Sequence, residues 1–243
     1  MNRETLTQLY DEAYAASYEQ KFLKSSDFLP DVEHELALIR DFLVNGGSWL
    51  DVACGTGFFL RQFPETERAG IDISPAMLKK AREGNPDIPL ILHDFRDPLR
   101  EWDNRWDLVS CMWYAYGLVS TVDELSRLIE NLWRWTSPGG NCFVPLADPR
   151  LISGVNLPYI APTSYDGRVQ VTGIIWSFTE DHGRKVHSHM LAPNIEFMVE
   201  QFQIFFERVA IVRYPSIQPE WPGRPALVAS GKKVAAFPPL QMI

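Results

Sequence analysis

Between Ser48 and Leu146 the chain repeats one alternation, a short apolar run followed by a segment with helical spacing. The apolar runs are Ser48–Ala53, Arg68–Ile73, Pro89–His93, Trp106–Met112 and Asn141–Leu146. Runs of this length interleaved with helical stretches predict an α/β fold, a doubly wound and mostly parallel sheet with helices on both faces. Helices are predicted over Gly57–Phe63, Ala76–Glu83 and Val122–Thr136. Ser74 and Pro75 suit the N-cap and first position of the second helix, and Gly84 ends it. The third stops at Ser137-Pro-Gly-Gly140. Upstream, residues 3–44 read as helical, with Leu36, Ala37, Ile39 and Leu43 at helical spacing before Asn45-Gly46-Gly47.

The alternation ends at Ala147. Residues 148–167 are rich in Pro, Gly, Ser and Asn and read as a long loop. Val169–Phe178 and Arg184–Leu191 then read as a β-hairpin around Thr-Glu-Asp-His-Gly183, with His182 in the exposed turn. A helix over Ile195–Phe206 and a closing antiparallel pair, Arg208–Tyr214 and Ala226–Ser230, complete the pattern. One domain is expected. It comprises N-terminal helices (1–46), a ligand-binding half (47–147), an antiparallel β insertion serving as lid (148–194) and a closing segment (195–233).

The formal net charge of −8 argues against a nucleic-acid partner, which needs a basic face. No apolar run reaches membrane-spanning length, and the polar start MNRETLTQLYDEAY lacks a signal-peptide core. Three scattered cysteines, Cys54, Cys111 and Cys142, suggest a reducing compartment and offer no zinc spacing. A cytoplasmic protein without a resident metal is the expectation.

The first strand runs straight into Ala53-Cys54-Gly55-Thr56-Gly57. In an open parallel sheet, ligands sit beyond the carboxyl ends of the strands. Glycines there let backbone approach a ligand with no Cβ in the way. Asp72 ends the second strand, where a carboxylate can accept both hydroxyls of a ribose. Asp94 ends the third, where it can accept from an adenine amino group, and Phe95 beside it can stack on the base. A nicotinamide dinucleotide asks for GxGxxG or GxGxxA, but the third small position here is Leu60. A second acid at the third strand is also not required by a pyrophosphate. Both facts favour an adenosyl ligand without phosphates.

These residues carry a resemblance. LDVACGTG, GIDIS, HDFRD and DLVSCM resemble, in order and spacing, the successive motifs of class I S-adenosylmethionine (SAM)-dependent methyltransferases over roughly residues 5–147. Within that class the chain is similar to small-molecule N-methyltransferases of the amino-sugar dimethyltransferase type, which share the LYD motif, DVACGTG, a CM run and a β insertion. The resemblance implies a seven-stranded sheet with SAM as cofactor. Asp51, Ala53 and Gly55 would line the methionine moiety, Asp72, Ile73 and Met77 the ribose side, and Asp94 with Phe95 the adenine. Cys111 and Met112 would flank the site, and Tyr10 of LYD would close over the cofactor's carboxylate end. Two departures stand out. Ala53 replaces a common Gly, and Trp113-Tyr114-Ala115-Tyr116-Gly117 follows CM where relatives carry small polar residues.

Methyl transfer from a sulfonium is an in-line displacement that depends mainly on placement. An amine bound neutral needs no base, whereas a hydroxyl does. Tyr114, His187 and His189 are the candidate proton acceptors, with Tyr116 a further phenol after the fourth strand. Trp113, Tyr116 and Trp176 are candidate substrate walls. His187 and His189 alternate on one predicted strand and should share a face. The expected partner is a small molecule, for which the resemblance alone implies an amine nitrogen rather than an oxygen, and the hairpin suits pairing in a homodimer. A small-molecule O-methyltransferase, a nicotinamide-dependent oxidoreductase and a non-catalytic nucleotide-binding module are the alternatives.

Overall fold

The computed structural model describes residues 2–154, 158–162, 167–180, 185–216 and 223–234. Its centre is a seven-stranded sheet built from β1 (Trp49–Val52), β2 (Arg68–Asp72), β3 (Leu90–Leu92), β4 (Trp106–Cys111), β5 (Thr136–Pro145), β10 (Phe206–Arg213) and β11 (Pro225–Lys232). The spatial order is β10-β11-β5-β4-β1-β2-β3. Strands β1 to β5 pair in parallel, and β11 runs antiparallel to both β5 and β10. The order reverses between β1 and β4, and that crevice is where such sheets bind ligands.

Two hydrophobic clusters, one per face, explain why the strands read as continuously apolar. Leu50, Val52, Val109, Cys111, Cys142 and Val144 pack in one cluster with α5 (Val122–Trp135) and α7 (Ile195–Phe205). Trp49, Leu108 and Phe143, from alternate positions of the same strands, pack in the other with α3 (Leu29–Phe42) and α4 (Pro75–Gly84). Successive side chains leave a strand on opposite faces, so burial on both faces demands an apolar residue at every step.

Several predicted elements shift. The helix expected over Gly57–Phe63 is a single 3-10 turn, Leu60–Gln62, because Gly57 is left-handed (φ 66°) and Pro64 follows directly. Ser137-Pro-Gly-Gly140 does not separate helix from strand. Instead β5 starts at Thr136, and its register against β4 shifts between the pairs at Trp106 and Leu108. The N-terminal helical stretch divides into α1 (Arg3–Leu9), α2 (Glu12–Tyr18), a π turn (Glu19–Leu23) and α3. Asp11 caps α2 by accepting from Tyr14 N. The expected long loop contains α6 (Pro149–Ser153) and β6 (Ile160–Pro162), which pairs antiparallel with β7 (Arg168–Gln170).

The hairpin forms as β8 (Gly173–Glu180) and β9 (Lys185–Pro193). Its turn, with His182, lies outside the described residues. The register between Trp176↔Met190 and Phe178↔His187 leaves one residue on β8 facing two on β9. That is a β-bulge, and His189 takes the left-handed conformation in it (φ 58°). The bulge breaks the alternation, so His187 and His189 do not share a face: His187 is buried and His189 exposed. Among the described residues no helix is long and apolar enough to cross a membrane.

Candidate active site

A cleft of about 960 Å³, including its open mouth, lies at the carboxyl ends of β1, β2, β3 and β4. Its floor is the turn after β1, where Ala53, Gly55 and Gly57 all have positive φ (59°, 54° and 66°). The two glycines do different work. A Cβ on Gly57 would fall 2.6 Å from Asn85 Nδ2, which donates to the Gly57 carbonyl, so this glycine seats the turn on α4. A Cβ on Gly55 would meet nothing within 4 Å. Gly55 N donates to Asp72 Oδ2 at 2.8 Å, and Ser74 N donates to Asp72 Oδ1 at 2.8 Å. The Asp72 carboxylate thus ties the glycine turn to the start of α4.

Asp51 is buried at the end of β1. Trp49 Nε1 donates to Ser110 Oγ (2.9 Å), and Ser110 donates its hydroxyl to Asp51 Oδ1 (2.7 Å). Burial pushes the Asp51 carboxyl up to about 7, against the pull of Ser110. Burial likewise pushes Asp72 up to about 6, against the backbone donors of Ser74 and Gly55. Two carboxylates therefore face one cleft without a cationic partner between them. Arg96, the arginine on the wall, is engaged by Asp94 and Glu124.

Asp94 is differently placed. Its Oδ1 accepts from Arg96 N and Nε, both at 2.9 Å, while its Oδ2 accepts from Arg96 Nη2 and pairs with Arg3 Nε, both at 2.7 Å. Burial pushes Asp94 up, but Arg96 and Arg3 outweigh it and hold the carboxyl below its ordinary range. With four donors already on its two oxygens, Asp94 accepts an adenine amino group only if Arg3 moves away. Arg3 also pairs with Asp97, so α1 is pinned across this end of the cleft.

Of the other predicted cofactor residues, Tyr10, Ala53, Ile73, Met77, Phe95 and Met112 line the cleft. The Tyr10 carbonyl accepts from Ser74 Oγ at 2.6 Å, fixing the end of α1 over α4. Cys111 has no exposed surface and packs among core residues instead. Gly55 contributes its backbone to the turn and does not itself line the wall.

The predicted catalytic and substrate residues divide. Trp113 and Tyr114 line the cleft, both left-handed (φ 52° and 60°). Burial pushes the Tyr114 phenol up, against the pull of Arg224, so it stays protonated at neutral pH. Tyr116 is not on the cleft: its ring is in the core, and its hydroxyl accepts from Ala147 N at 2.7 Å. Trp176 is also off the cleft, beside Phe178 on the hairpin. His187 lies outside the wall as well, where its Nε2 meets Glu180 Oε1 at 2.5 Å. Tyr14 donates to the same Glu180 oxygen at 2.9 Å, and Lys21 pairs with Glu180. Burial pushes Glu180 up, but Lys21, His187 and Tyr14 outweigh it and lower it. This cluster docks the hairpin on α2. His189 points to solvent. No group of three metal-ligating side chains occurs among the described residues.

Sequence reasoning missed much of the roof and the back wall. Leu6, Tyr18 and Leu23 from the N-terminal helices and Met190 from β9 close the cleft from above. Behind Trp113 and Tyr114 lie the buried Asp31, Glu35 and Tyr214 and the half-buried Arg224, from α3 and the last hairpin. Burial pushes the Glu35 carboxyl up to about 7, with Arg224 pulling it down. Phe58 and Phe59 had a legible signal, since they follow Gly57 directly. Glu35 and Arg224 had none, because nothing local marks them as neighbours.

Residues 50–140 match the family model described as "Methyltransferase domain". A relative from Saccharopolyspora spinosa, dTDP-4-amino-2,3,4,6-tetradeoxy-D-glucose N,N-dimethyltransferase, is 31% identical over 134 residues, 54% of this chain and 50% of that one. The dTDP-3-amino-3,6-dideoxy-alpha-D-glucopyranose N,N-dimethyltransferase of Streptomyces fradiae is 30% identical over 172 residues, covering 69% of this chain and 66% of that one. The chain thus spans about half to two thirds of the length of these curated relatives. The crystal structure of Streptomyces venezuelae DesVI superposes with a TM-score of 0.61 at 24% identity, over 89% of this chain and 98% of that one. SAM-bound CalS10, an amino pentose methyltransferase from Micromonospora echinaspora, gives 0.61 at 21% identity, over 92% and 98%. At these identities the two structures establish a shared fold.

Proposed function

We propose, for a chain whose residues 50–140 belong to the methyltransferase domain family, that the cleft binds SAM and that its methyl group passes to an amine nitrogen of a small molecule. The observation that carries the reading is the pair of buried carboxylates, Asp51 and Asp72, facing the cleft without a cation. An uncompensated buried charge is costly, so the favoured ligand is one that brings positive charge and hydroxyl donors. SAM has an ammonium, a sulfonium and two ribose hydroxyls. A dinucleotide would bring its pyrophosphate to the glycine turn beside the buried Asp51, which weighs against the oxidoreductase reading.

Asp72 accepts the ribose hydroxyls while Gly55 N and Ser74 N hold its carboxylate still. Asp51, oriented by Ser110, takes the ammonium. The open space beside Gly55 leaves room for the ligand's chain. Tyr10, Leu6 and Met190 exclude water from above. When bound, SAM supplies a sulfonium-activated methyl group, and the task left to the chain is orientation.

An amine acceptor is favoured over a hydroxyl by where the predicted proton acceptors fall, while an imidazole that does line the wall, His93, has its Nε2 3.0 Å from the Asp97 carbonyl oxygen. Of the three predicted proton acceptors only Tyr114 reaches the cleft, and burial keeps its phenol protonated. A neutral amine brings its own lone pair. The relatives named as amino-sugar N,N-dimethyltransferases support the same class. The net charge of −8 supports a small molecule over a nucleic acid. Three buried free cysteines support a reducing, cytoplasmic setting, and the exposed Ile175, Phe178 and Val186 of the hairpin support pairing with a second copy.

Calorimetric titration with S-adenosylhomocysteine, SAM and NAD tests the cofactor. Micromolar binding of the first two, with none of NAD, is expected, and the reverse sinks the reading. Methyl-labelled SAM offered with dTDP-linked amino sugars and their hydroxyl counterparts tests the acceptor. Label in the hydroxyl compounds alone would overturn the amine assignment. Light scattering at a few protein concentrations tests the dimer.

A further inference from the structure

We propose that Glu35 is a positioning residue for the acceptor end of the cleft, holding the Trp113–Tyr114 wall in place from behind. The inference rests on the methyl-transfer reading for its consequence in turnover, while the positioning itself stands on geometry.

Glu35 has no exposed surface. Trp113 Nε1 donates to its Oε2 at 3.1 Å, and the Tyr214 hydroxyl donates to its Oε1 at 3.1 Å. Arg224 Nη2 lies 3.8 Å from Oε1, and Arg224 Nη1 pairs with Asp31 Oδ2 at 2.7 Å, one turn before Glu35 on α3. The Arg224 guanidinium also sits 5.2, 4.8 and 5.7 Å from the ring centroids of Trp113, Tyr114 and Tyr214. Its hold on the wall is exerted through ring faces, charge and a side-chain hydrogen bond to Tyr114.

The wall needs such a hold. Trp113 and Tyr114 are consecutive left-handed residues with bulky side chains, a conformation that persists only where the surroundings over-determine it. Phe28 packs edge-on against Trp113, an apolar contact without direction of its own. The bond to Glu35 gives the indole a direction, and with it the surface that meets the acceptor.

The test compares Glu35→Gln with Glu35→Leu in the full chain. The glutamine oxygen accepts from Trp113 Nε1, and its amide can donate to the Tyr214 oxygen, so E35Q preserves the anchor. E35L removes it. In ¹⁵N-tryptophan spectra the Trp113 indole resonance, assigned through Trp113→Phe, should stay in place in E35Q and move in E35L. S-adenosylhomocysteine affinity should remain within about twofold in both, and kcat/KM for an amino-sugar acceptor should fall about 10–100-fold in E35L alone. An unmoved indole in folded E35L would overturn the proposal. So would E35Q as impaired as E35L, or an equal loss of S-adenosylhomocysteine affinity. Should E35L not fold, Tyr214→Phe removes one of the two hydrogen bonds to Glu35. A smaller shift of the same indole is expected there, and no shift counts against the proposal. A wild-type protein that methylates no amino sugar refutes the acceptor class, and the indole shift with the S-adenosylhomocysteine affinity then decides the positioning claim alone.

Discussion

The two ends of the cleft are built by different means. At the glycine turn, the parts lie within a few residues of strand ends, and backbone amides hold the key carboxylate: Gly55 N and Ser74 N both donate to Asp72. At the Trp113–Tyr114 wall, side chains from α3, the turn after β4, the end of β10 and the start of β11 converge. The first end rests on backbone amides gathered by one carboxylate, Asp72. The second depends on buried polar contacts, each of which can be lost by one substitution. Cofactor binding and acceptor placement should therefore be separable by mutation.

The largest expected effect falls on the first end. Asp72→Ala should weaken S-adenosylhomocysteine binding by about 100-fold or more, since two hydrogen bonds to a charged acceptor are lost. It should also loosen the turn, because Gly55 N and Ser74 N lose their acceptor. Calorimetry with a thermal melt separates the two effects, and unchanged affinity would remove the ribose assignment. Gly57→Ala should cost about 2 kcal/mol of stability in urea unfolding, from the left-handed φ and the contact with Asn85. A neutral result would mean that the turn does not rest on α4.

The pH dependence sharpens the same contrast. Asp51 and Asp72 retain their protons up to about 7 and about 6 in the ligand-free fold, above the ordinary carboxylate value of about 4. Raised carboxyls favour the fold at low pH, and that contribution is lost as pH rises through these values. A ligand ammonium needs them ionised. S-adenosylhomocysteine affinity should therefore rise about tenfold or more between pH 5.5 and 7.5, while ligand-free stability declines over the same window. A flat affinity profile would contradict the carboxylate assignment. The smallest effect is expected on the hairpin. His189→Ala should leave stability and turnover within about twofold, since surface residues rarely matter more. A large loss of turnover would restore His189 as a proton acceptor.

Motifs that are local in the chain were legible without coordinates. Asp72 lies on the cleft where strand-end logic places it, and Asp51, Met77 and Met112, which the resemblance implied, line it as well. One step of the strand alternation turns the Cys111 side chain into the core and leaves only its backbone for the role implied, while Met112 faces the cleft. His187 and His189 were separated by a bulge that no periodicity announces, because a one-residue insertion leaves the local pattern looking regular. Asp94 kept its position but not its freedom, since Arg3 reaches it from a helix more than ninety residues away.

From sequence alone came the parallel sheet, its helices, the crevice and the carboxylates beside it, because these follow from neighbours along the chain and from the two-residue period of strands. Tertiary structure alone decided which aromatics face the cleft, what fixes them, and which acids remain available to a ligand. Those outcomes depend on side chains such as Glu35, Arg224 and Arg3 arriving from distant segments. Burial raises Asp51, Asp72 and Glu35, the arginines that reach Asp94 lower it, and neither the meeting nor the burial is encoded in any local run of residues.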